Sequence, residues 1–315
     1  SFKKVDHRFG SNELLKTLVN ETHAKDYNII LDYVCNHVHE EHPFIQQHPD
    51  WKTTLNLPDG RRNLRIWDEF RLTTWFDDFL PTLDYSIPEV TEIMSDSAVW
   101  WMEEFGFDGF RHDATKHIPE SFWRANTRKL RQLSQQTGQN YFQVGETFGS
   151  RDLIQSYIGS GMMDGQFDFN LYFDAVNVFK DTTAPMSKLQ ESLMASQNLH
   201  GSLHKMCNIT GNHDLTRFIS LASGAVRDDE DQKEAGWSRE IKVENPVGYD
   251  RLKMLETFIM TIPGIPVIFY GDEIGMPGAN DPDNRRMMRF DDLKPEEQNV
   301  KAHVESITRI RANHM

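Results

Sequence analysis

Short apolar runs alternate with longer amphipathic stretches along the chain, and this alternation constrains the fold more than any other feature. Turn residues stand at both ends of each apolar run. Parallel strands that are covered on both faces have this pattern. The runs are Asn28–Cys35, Phe107–Arg111, Tyr141–Gly145, Phe167–Leu171, His204–Ile209 and Pro266–Tyr270. Strands and helices in strict alternation predict an α/β fold with a parallel sheet and crossover helices.

The stretches between the runs carry signals for helix starts. Ser11 is a suitable N-cap, and Pro88 opens a helix whose first turn contains Glu89, which suits the positive end of a helix. The predicted helices are Asn12–Lys25, Pro88–Phe105, Pro119–Gln136, Pro185–Gln197, Tyr249–Met260 and Glu296–Ala312.

One connection, Val38–Ile87, is too long for this pattern. It is rich in His, Pro, Trp, Asp and Arg and shows no clean period. A structureless loop of that length is unusual inside a compact domain, so the segment predicts a small inserted subdomain. The expected organisation is a first barrel part at 1–37, an insertion at 38–87 and the rest of the barrel at 88–315. The polar stretch Ser223–Val247 is interpreted as a solvated surface loop.

Composition limits the partners. The chain of 315 residues has a formal charge of −14, which disfavours nucleic acid and anionic membrane surfaces and suits a neutral substrate. No segment reaches the roughly 18–20 apolar residues of a membrane span, since Phe258–Tyr270 contains two prolines. Cys35 and Cys207 are interpreted as buried free thiols. The sequence does not distinguish a cytoplasmic location from a periplasmic or secreted one.

Charged residues follow four of the predicted strands. Because the carboxyl ends of barrel strands meet at one mouth, such residues can share a site. They occur in Asp32 to His37, in Arg111-His112-Asp113, at Glu146 and in Asn212-His213-Asp214. A single aspartate after a strand is more often a helix cap, but its recurrence at four strand ends favours a catalytic site.

The residue types narrow the reaction to hydrolysis of a glycosidic bond. That reaction needs one carboxylate at the anomeric carbon and one carboxylic acid for the departing oxygen. Arg111 lies on the same strand face as Asp113 and would keep it ionised, and burial among anions would favour a proton on Glu146. Trp75 and Phe76 would either stack on pyranose rings or pack under the insertion.

These motifs resemble those of the α-amylase family, glycoside hydrolase family 13, over almost the whole chain. The similar segments are DYVCNH (Asp32–His37), LPTLDY (Leu80–Tyr85), GFRHDATKH (Gly109–His117), GETF (Gly145–Phe148), GNHD (Gly211–Asp214), GIPVIFYGDEIGM (Gly264–Met276) and DPDNRRMM (Asp281–Met288). The resemblance implies a TIM (β/α)8 barrel of the α-amylase type with a B domain inserted after the third strand. The closest group in appearance contains cyclomaltodextrinases, neopullulanases and maltogenic amylases.

The resemblance also implies roles for individual residues. Asp113 corresponds to the nucleophile, Glu146 to the general acid and base, and Asp214 to the group that stabilises the transition state. Contacts with substrate, or support of the site, are implied for Arg111, His37, His213, Lys116, His117 and Asp32. A retaining outcome follows, with the two catalytic carboxyl groups about 5–5.5 Å apart. Ala114 stands where members that cleave α-1,6 bonds carry Val, which favours α-1,4 cleavage.

Three features depart from the family or stay open. His112 replaces an apolar residue, and alternation along the strand predicts that its side chain points away from the site. The family barrel has eight strands and this sequence predicts six, without the first two, so it is interpreted as a fragment. Dimerisation or partial closure would cover the gap, and the isolated chain is expected to show little hydrolysis of maltoheptaose in a reducing-sugar assay.

No cofactor is needed for this chemistry, although Ca²⁺ is a candidate. The resemblance implies Asn36 as a calcium ligand, and Asp77 and Asp78 offer further oxygens. The alternative functions are a transglycosylase with the same residues, an inactive fragment that binds α-glucan, and a transporter heavy chain. The last is disfavoured because all three acids are present and no span is visible.

Overall fold

The computed structural model describes residues 2–201 and 205–314. By internal contacts the chain divides into two compact units, each described here by itself. The first contains Ser1–Phe148 and Asp152–Gln166, and the second contains Gly149–Arg151 and Phe167–Met315. No helix in the described ranges is both long enough and apolar enough to cross a membrane.

The first unit is built on a parallel four-stranded sheet in the order β1-β2-β3-β4. Its strands are β1 (Ile30–Tyr33), β2 (Gly109–His112), β3 (Phe142–Gly145) and β4 (Gly165–Gln166). Asp32 pairs in register with Arg111, and His112 pairs with Gly145. The register therefore brings the polar residues that follow β1, β2 and β3 to one edge of the sheet.

The helices of this unit are α1 (Asn12–His23), α2 (Pro43–Gln47), α3 (Pro88–Phe105), α4 (Glu120–Thr137) and, except for its first residue, α5 (Arg151–Ser156). Ser11 caps α1 by accepting a hydrogen bond from the Leu14 amide, as its sequence position predicts. Gly106 ends α3 in the left-handed conformation that favours glycine. Helices α3 and α4 pack together over a core that includes the fully buried Phe110, Phe122 and Trp123.

Segment 38–87 contains α2 and several isolated bridges, including Lys52↔Leu83, and Thr82 forms a further bridge with His37 just before the segment. The small core of this segment combines apolar burial with hydrogen bonding. The Trp75 side chain is 6% exposed, and its indole N–H donates to Thr53. The segment is therefore ordered around internal contacts. Its status as a separate inserted domain stays a prediction.

The second unit carries a short parallel pair, β5 (Cys207–Ile209) and β6 (Ile265–Val267). Its helices are α6 (Phe169–Phe179), α7 (Ser187–His200), α8 (Phe218–Ala222), α9 (Gln232–Ser238), α10 (Val247–Thr261) and α11 (Pro295–His314). The predicted strand at His204–Ile209 is confirmed over its last three residues, and His204 itself lies outside the described residues.

Two sequence interpretations were wrong in this unit. The run Phe167–Leu171 is not a strand, because Asp168 caps α6 by accepting a hydrogen bond from the Leu171 amide. Only Phe167 pairs in a bridge, with Cys207. A short apolar run fits a buried helix as well as a strand, which explains the error. The stretch Ser223–Val247 is not all loop either, since Asp231 caps the helix α9.

Glu256 on α10 is fully buried, and within the described part of the chain neither carboxyl oxygen has a hydrogen-bond partner. Burial, with the negative charges of Asp272 and Glu273, raises the pKa of Glu256 to about 9, although Lys253 opposes the shift. The side chain is therefore neutral at pH 7 in the folded protein.

This buried acid predicts a pH-dependent stability. Between about pH 4.3 and 9 the unfolded chain releases the proton of Glu256 and the folded chain keeps it, so stability falls as pH rises. Glu256→Gln keeps the neutral form at every pH and should raise the free energy of unfolding by about 3 kcal/mol at pH 7. Urea unfolding at pH 5, 7 and 9 measures this, with Glu191→Gln on the exposed face of α7 as control. The same pH slope in wild type and Glu256→Gln would contradict the prediction.

Candidate active site

Arg111 is the centre of the site in the first unit. Its Nη1 atom lies 2.7 Å from Asp113 Oδ1 and 2.8 Å from Asp32 Oδ1, and its Nη2 atom lies 2.7 Å from Glu146 Oε1. The side chains of Arg111, Asp113 and Glu146 are 11%, 18% and 7% exposed, whereas that of Asp32 is 52% exposed. One guanidinium thus holds three carboxylates from the ends of three adjacent strands.

The backbone fixes the two buried acids against each other. The Glu146 amide donates to the carbonyl of His112, and the Thr115 amide donates to the carbonyl of Glu146, both at 2.9 Å. Between them, Ala114 has a left-handed φ of 48° and its amide points at Glu146 Oε2, 3.4 Å away. Gly145 is required before Glu146, since a Cβ there would lie 2.1 Å from the Gln166 side chain.

The electrostatics of this cluster differ from the sequence expectation in one respect. Burial by itself lowers the pKa of Arg111, but the carboxylates of Glu146, Asp32 and Asp113 more than compensate and raise it above its ordinary value. Arg111 is therefore permanently charged. Glu146 was expected to lie among anions, and it instead shares its surroundings with this cation as well as with the neighbouring anions.

Aromatic and imidazole rings lie beside the acids. The His37 ring stacks on Phe76 with centroids 4.6 Å apart, and burial lowers the pKa of His37 despite the nearby Asp113. A neutral imidazole offers one donor and one acceptor to a hydroxyl group. The assignment of Trp75 to substrate binding needs correction, because its indole is buried in segment 38–87 and presents no open ring face. Phe76 contacts the rings of His37 and His117, and Trp67 also contacts the ring of His117.

His112 points away from Arg111, as alternation predicts. It is fully buried and its Nε2 atom lies 3.1 Å from Gln143 Oε1. Burial lowers the pKa of His112 to about 3, so the ring is neutral. The residue supports the sheet and takes no part in the carboxylate cluster.

Lys116 and His117 form the turn that follows Asp113. Lys116 Nζ lies 3.7 Å from Asp68 Oδ1, and the His117 ring meets Trp67 and Phe76 edge to face. Burial lowers the pKa of His117 to about 4. The turn thus pairs a charged amine with a neutral ring beside the acids.

Of the side chains considered for a calcium ion, Asp77 and Asp78 are already ion-paired, whereas the Asn36 oxygen is not hydrogen-bonded within the described residues. Asn36 Oδ1 is buried and has no hydrogen-bond partner within the described residues, which a cation would satisfy. Asp77 and Asp78, however, form ion pairs with Arg65 and Arg62 at 2.5 Å. Ca²⁺ takes about six to eight oxygen ligands. Calcium binding at Asn36 stays a prediction.

In the second unit, Asp214 and His213 follow β5. The Asp214 amide donates to Asn212 Oδ1, and its carboxylate lies 3.2 Å from His213 Nε2 and 3.1 Å from Arg285 Nη2. Arg285 also pairs with Asp281 at 2.7 Å and donates to the carbonyl of His213. The segment Asp281–Met288 was noticed in the sequence, but no role was assigned to Arg285.

Comparisons with known proteins identify the family of the chain. Residues 1–312 match the family Alpha-amylase, described as the alpha amylase catalytic domain. The chain is 28% identical to a cyclomaltodextrinase of Geobacillus thermopakistaniensis (98% of this chain, 48% of that protein). It is 24% identical to a maltogenic alpha-amylase of Bacillus acidopullulyticus (99% of this chain, 49% of that protein). The chain thus spans about half the length of these curated relatives.

Solved structures give the same answer. The alpha-amylase of Geobacillus thermoleovorans complexed with acarbose superposes with a TM-score of 0.81 and 30% identity, over 99% of this chain and 64% of that one. An Anoxybacillus alpha-amylase superposes with a TM-score of 0.80 and 27% identity, over 98% of this chain and 63% of that one. The family match and the superpositions indicate a fold of the TIM-barrel type. The chain belongs to the α-amylase family.

Proposed function

We propose that this chain supplies catalytic residues of a retaining glycoside hydrolase that cleaves α-1,4-glucosidic bonds in starch-derived oligosaccharides. The observation that carries the proposal is the contact of one guanidinium, Arg111, with both Asp113 and Glu146. Retaining glycosidases need two carboxyl groups about 5–5.5 Å apart, and a shared arginine is a simple way to hold them close.

The reaction proceeds in two steps. An oxygen of Asp113 attacks the anomeric carbon and forms a covalent glycosyl ester, while Glu146 gives its proton to the departing glycosidic oxygen. Glu146 then takes a proton from water, which attacks the anomeric carbon and releases Asp113. By its place in the GNHD motif, Asp214 is assigned to the hydroxyl groups of the cleaved sugar. The motifs assign His37 and His213 to that same sugar residue.

The charge count around Arg111 explains how Glu146 changes role. Three ionised carboxylates against one guanidinium would carry a net charge of −2, which favours one proton on the cluster. Once Asp113 is esterified it loses its charge, and ionised Glu146 then faces the cation with one anion fewer nearby. The same residue is thereby an acid in the first step and a base in the second.

Substrate and linkage come from the relatives and from Ala114. The names cyclomaltodextrinase and maltogenic alpha-amylase belong to proteins that match this chain. Ala114 directly after the nucleophile favours α-1,4 cleavage over α-1,6 cleavage. A transglycosylase with the same residues is the second candidate, since a sugar hydroxyl can replace water in the second step. The chemistry needs no metal ion, because two carboxyl groups suffice.

We further propose an eight-stranded barrel with a B domain at 38–87, in which additional strands cover β1 and β6. Within the described residues β1 pairs only with β2, and β6 pairs only with β5. Ile30 on β1 and Ile265 on β6 are 39% and 36% exposed, and open apolar strand edges are usually paired or covered. A longer stretch of the native polypeptide or a second copy of the chain would supply the strands. Neither nucleic acid nor a membrane is expected as partner.

The stereochemistry of the first product tests the mechanism. Proton NMR of maltoheptaose digested by the native polypeptide that contains this chain should show the α-anomer first, with the β-anomer appearing only by mutarotation. A retaining enzyme inverts the anomeric carbon twice, which is the reason for this order. Initial formation of the β-anomer would refute the assignment of Asp113 as nucleophile.

A further inference from the structure

Arg71 joins three separate parts of the first unit. Its Nη1 atom donates to the carbonyl oxygen of Lys116 and to the hydroxyl oxygen of Tyr157, both at 2.5 Å. Tyr157 is 1% exposed and follows α5, Lys116 lies in the turn after β2, and Arg71 belongs to segment 38–87. A single side chain therefore fixes that segment against the turn that follows Asp113.

The contact is reciprocal. His117 Nδ1 lies 2.7 Å from the carbonyl oxygen of Arg71, and because a carbonyl only accepts, Nδ1 must carry the proton. His117 is neutral, since burial lowers its pKa to about 4. The tautomer is thereby fixed, and Nε2 is left as a hydrogen-bond acceptor. Trp67 and Phe76 pack edge to face against the ring at 5.5 and 5.1 Å and hold its orientation.

We infer that Arg71 is a positioning residue that holds Lys116 and His117 in place for the acceptor, and so favours a sugar hydroxyl over water in the second step. The inference rests on the proposed function and on the resemblance to the α-amylase family, which implies that Lys116 and His117 lie where the leaving-group side of the substrate binds. In that step the ester bond to Asp113 breaks, a bond forms from the anomeric carbon to the acceptor oxygen, and the proton of the acceptor passes to Glu146.

The physical reason lies in what each acceptor needs. A sugar acceptor must be held at several hydroxyl groups, and a fixed Nε2 acceptor together with the Lys116 ammonium can hold two of them. Water needs no such orientation, because it reaches the anomeric carbon by diffusion. A looser turn should therefore lower the rate of transfer to sugar more than the rate at which water releases the glycosyl group.

The experiment compares Arg71→Met and Arg71→Lys with Arg62→Met, a control in the same segment whose exposed side chain pairs with Asp78. The products of the native polypeptide acting on maltotriose give the ratio of transfer to hydrolysis. Arg71→Met should lower this ratio about tenfold, the loss expected for one charged hydrogen bond. Arg71→Lys should fall between, and Arg62→Met should match wild type.

A second readout does not depend on activity. Long-range ¹H–¹⁵N spectra of the 315-residue chain should show His117 protonated only at Nδ1. Arg71→Met keeps the carbonyl of residue 71 but removes the side-chain bonds that hold it against the turn, so the variant should give mixed tautomers with an unchanged far-UV circular dichroism spectrum. If Arg71→Met misfolds, Arg71→Lys takes its place in both measurements. A wild-type tautomer together with a wild-type product ratio in the variant would overturn the inference. Absence of any turnover in the unsubstituted polypeptide would instead refute the proposed function, while the spectra would still decide whether Arg71 positions His117.

Discussion

Replacing Asp113 with asparagine should abolish hydrolysis of maltoheptaose by the native polypeptide, with kcat falling on the order of 10⁴-fold or more. Asparagine has nearly the same shape and can still accept a hydrogen bond from Arg111, so the cluster should keep its geometry. The amide, however, cannot form the glycosyl ester on which the two-step reaction depends. Steady-state release of reducing ends gives the rate, and calorimetric titration with maltoheptaose gives the affinity.

The affinity measurement separates the enzyme from a binding protein. Lost turnover with retained binding supports a catalytic nucleophile at Asp113. Turnover that stays at the wild-type level would exclude that role and would favour a function in α-glucan binding. Asp96→Asn on the exposed face of α3 is the matched control, because it makes the same chemical change outside the site. It should leave both rate and affinity unaltered.

Glu146→Gln should reduce kcat for maltoheptaose about 10²- to 10⁴-fold, the usual contribution of a general acid and base. The side chain is buried beside Arg111, and glutamine fills the same space without a proton to give. The size of the loss should depend on the leaving group. With α-maltosyl fluoride the departing fluoride needs no proton, so the first step should run at close to the wild-type rate.

The second step should be slow in Glu146→Gln, because no general base remains to take the proton from water. In Glu146→Gln the glycosyl ester on Asp113 should accumulate, and added azide should restore turnover because it attacks without giving up a proton. Mass spectrometry of the trapped protein detects the ester, and product analysis detects the glycosyl azide. Equal losses with maltoheptaose and with the fluoride would contradict the assignment. Glu120→Gln, exposed in the first turn of α4, is the control.

Much of the secondary structure was predictable because its signals are local. Helix α3 begins at Pro88 and ends at Phe105 as the sequence predicts, since a proline in the first turn and Gly106 after the last turn mark its ends. The run at Phe167–Leu171 failed for the opposite reason. Apolar character alone does not separate a short buried strand from the start of a buried helix. Here Asp168 acts as an N-cap, and the residues after it form a helix.

The chemical identity of the site was also accessible from the sequence, because Asp113 and Glu146 follow strands whose ends meet at one edge of a parallel sheet. The side chains that surround these two acids were harder to predict from the sequence. Trp75 was a candidate for stacking on sugar, and its burial followed from bonds to Thr53 that no spacing rule reveals. Arg71 carried no sequence signal at all, since it is one arginine in an irregular segment.

The sequence by itself determined most of the strands and helices and the acids at the strand ends. These follow from side-chain periodicity and capping residues, which act within a few residues. Only the tertiary structure decided that Arg111 is shared by Asp32, Asp113 and Glu146, and that Arg71 holds Lys116 and His117. Such contacts join residues that are up to about eighty positions apart, and a hydrogen bond about 2.7 Å long depends on where the folded backbone places both partners.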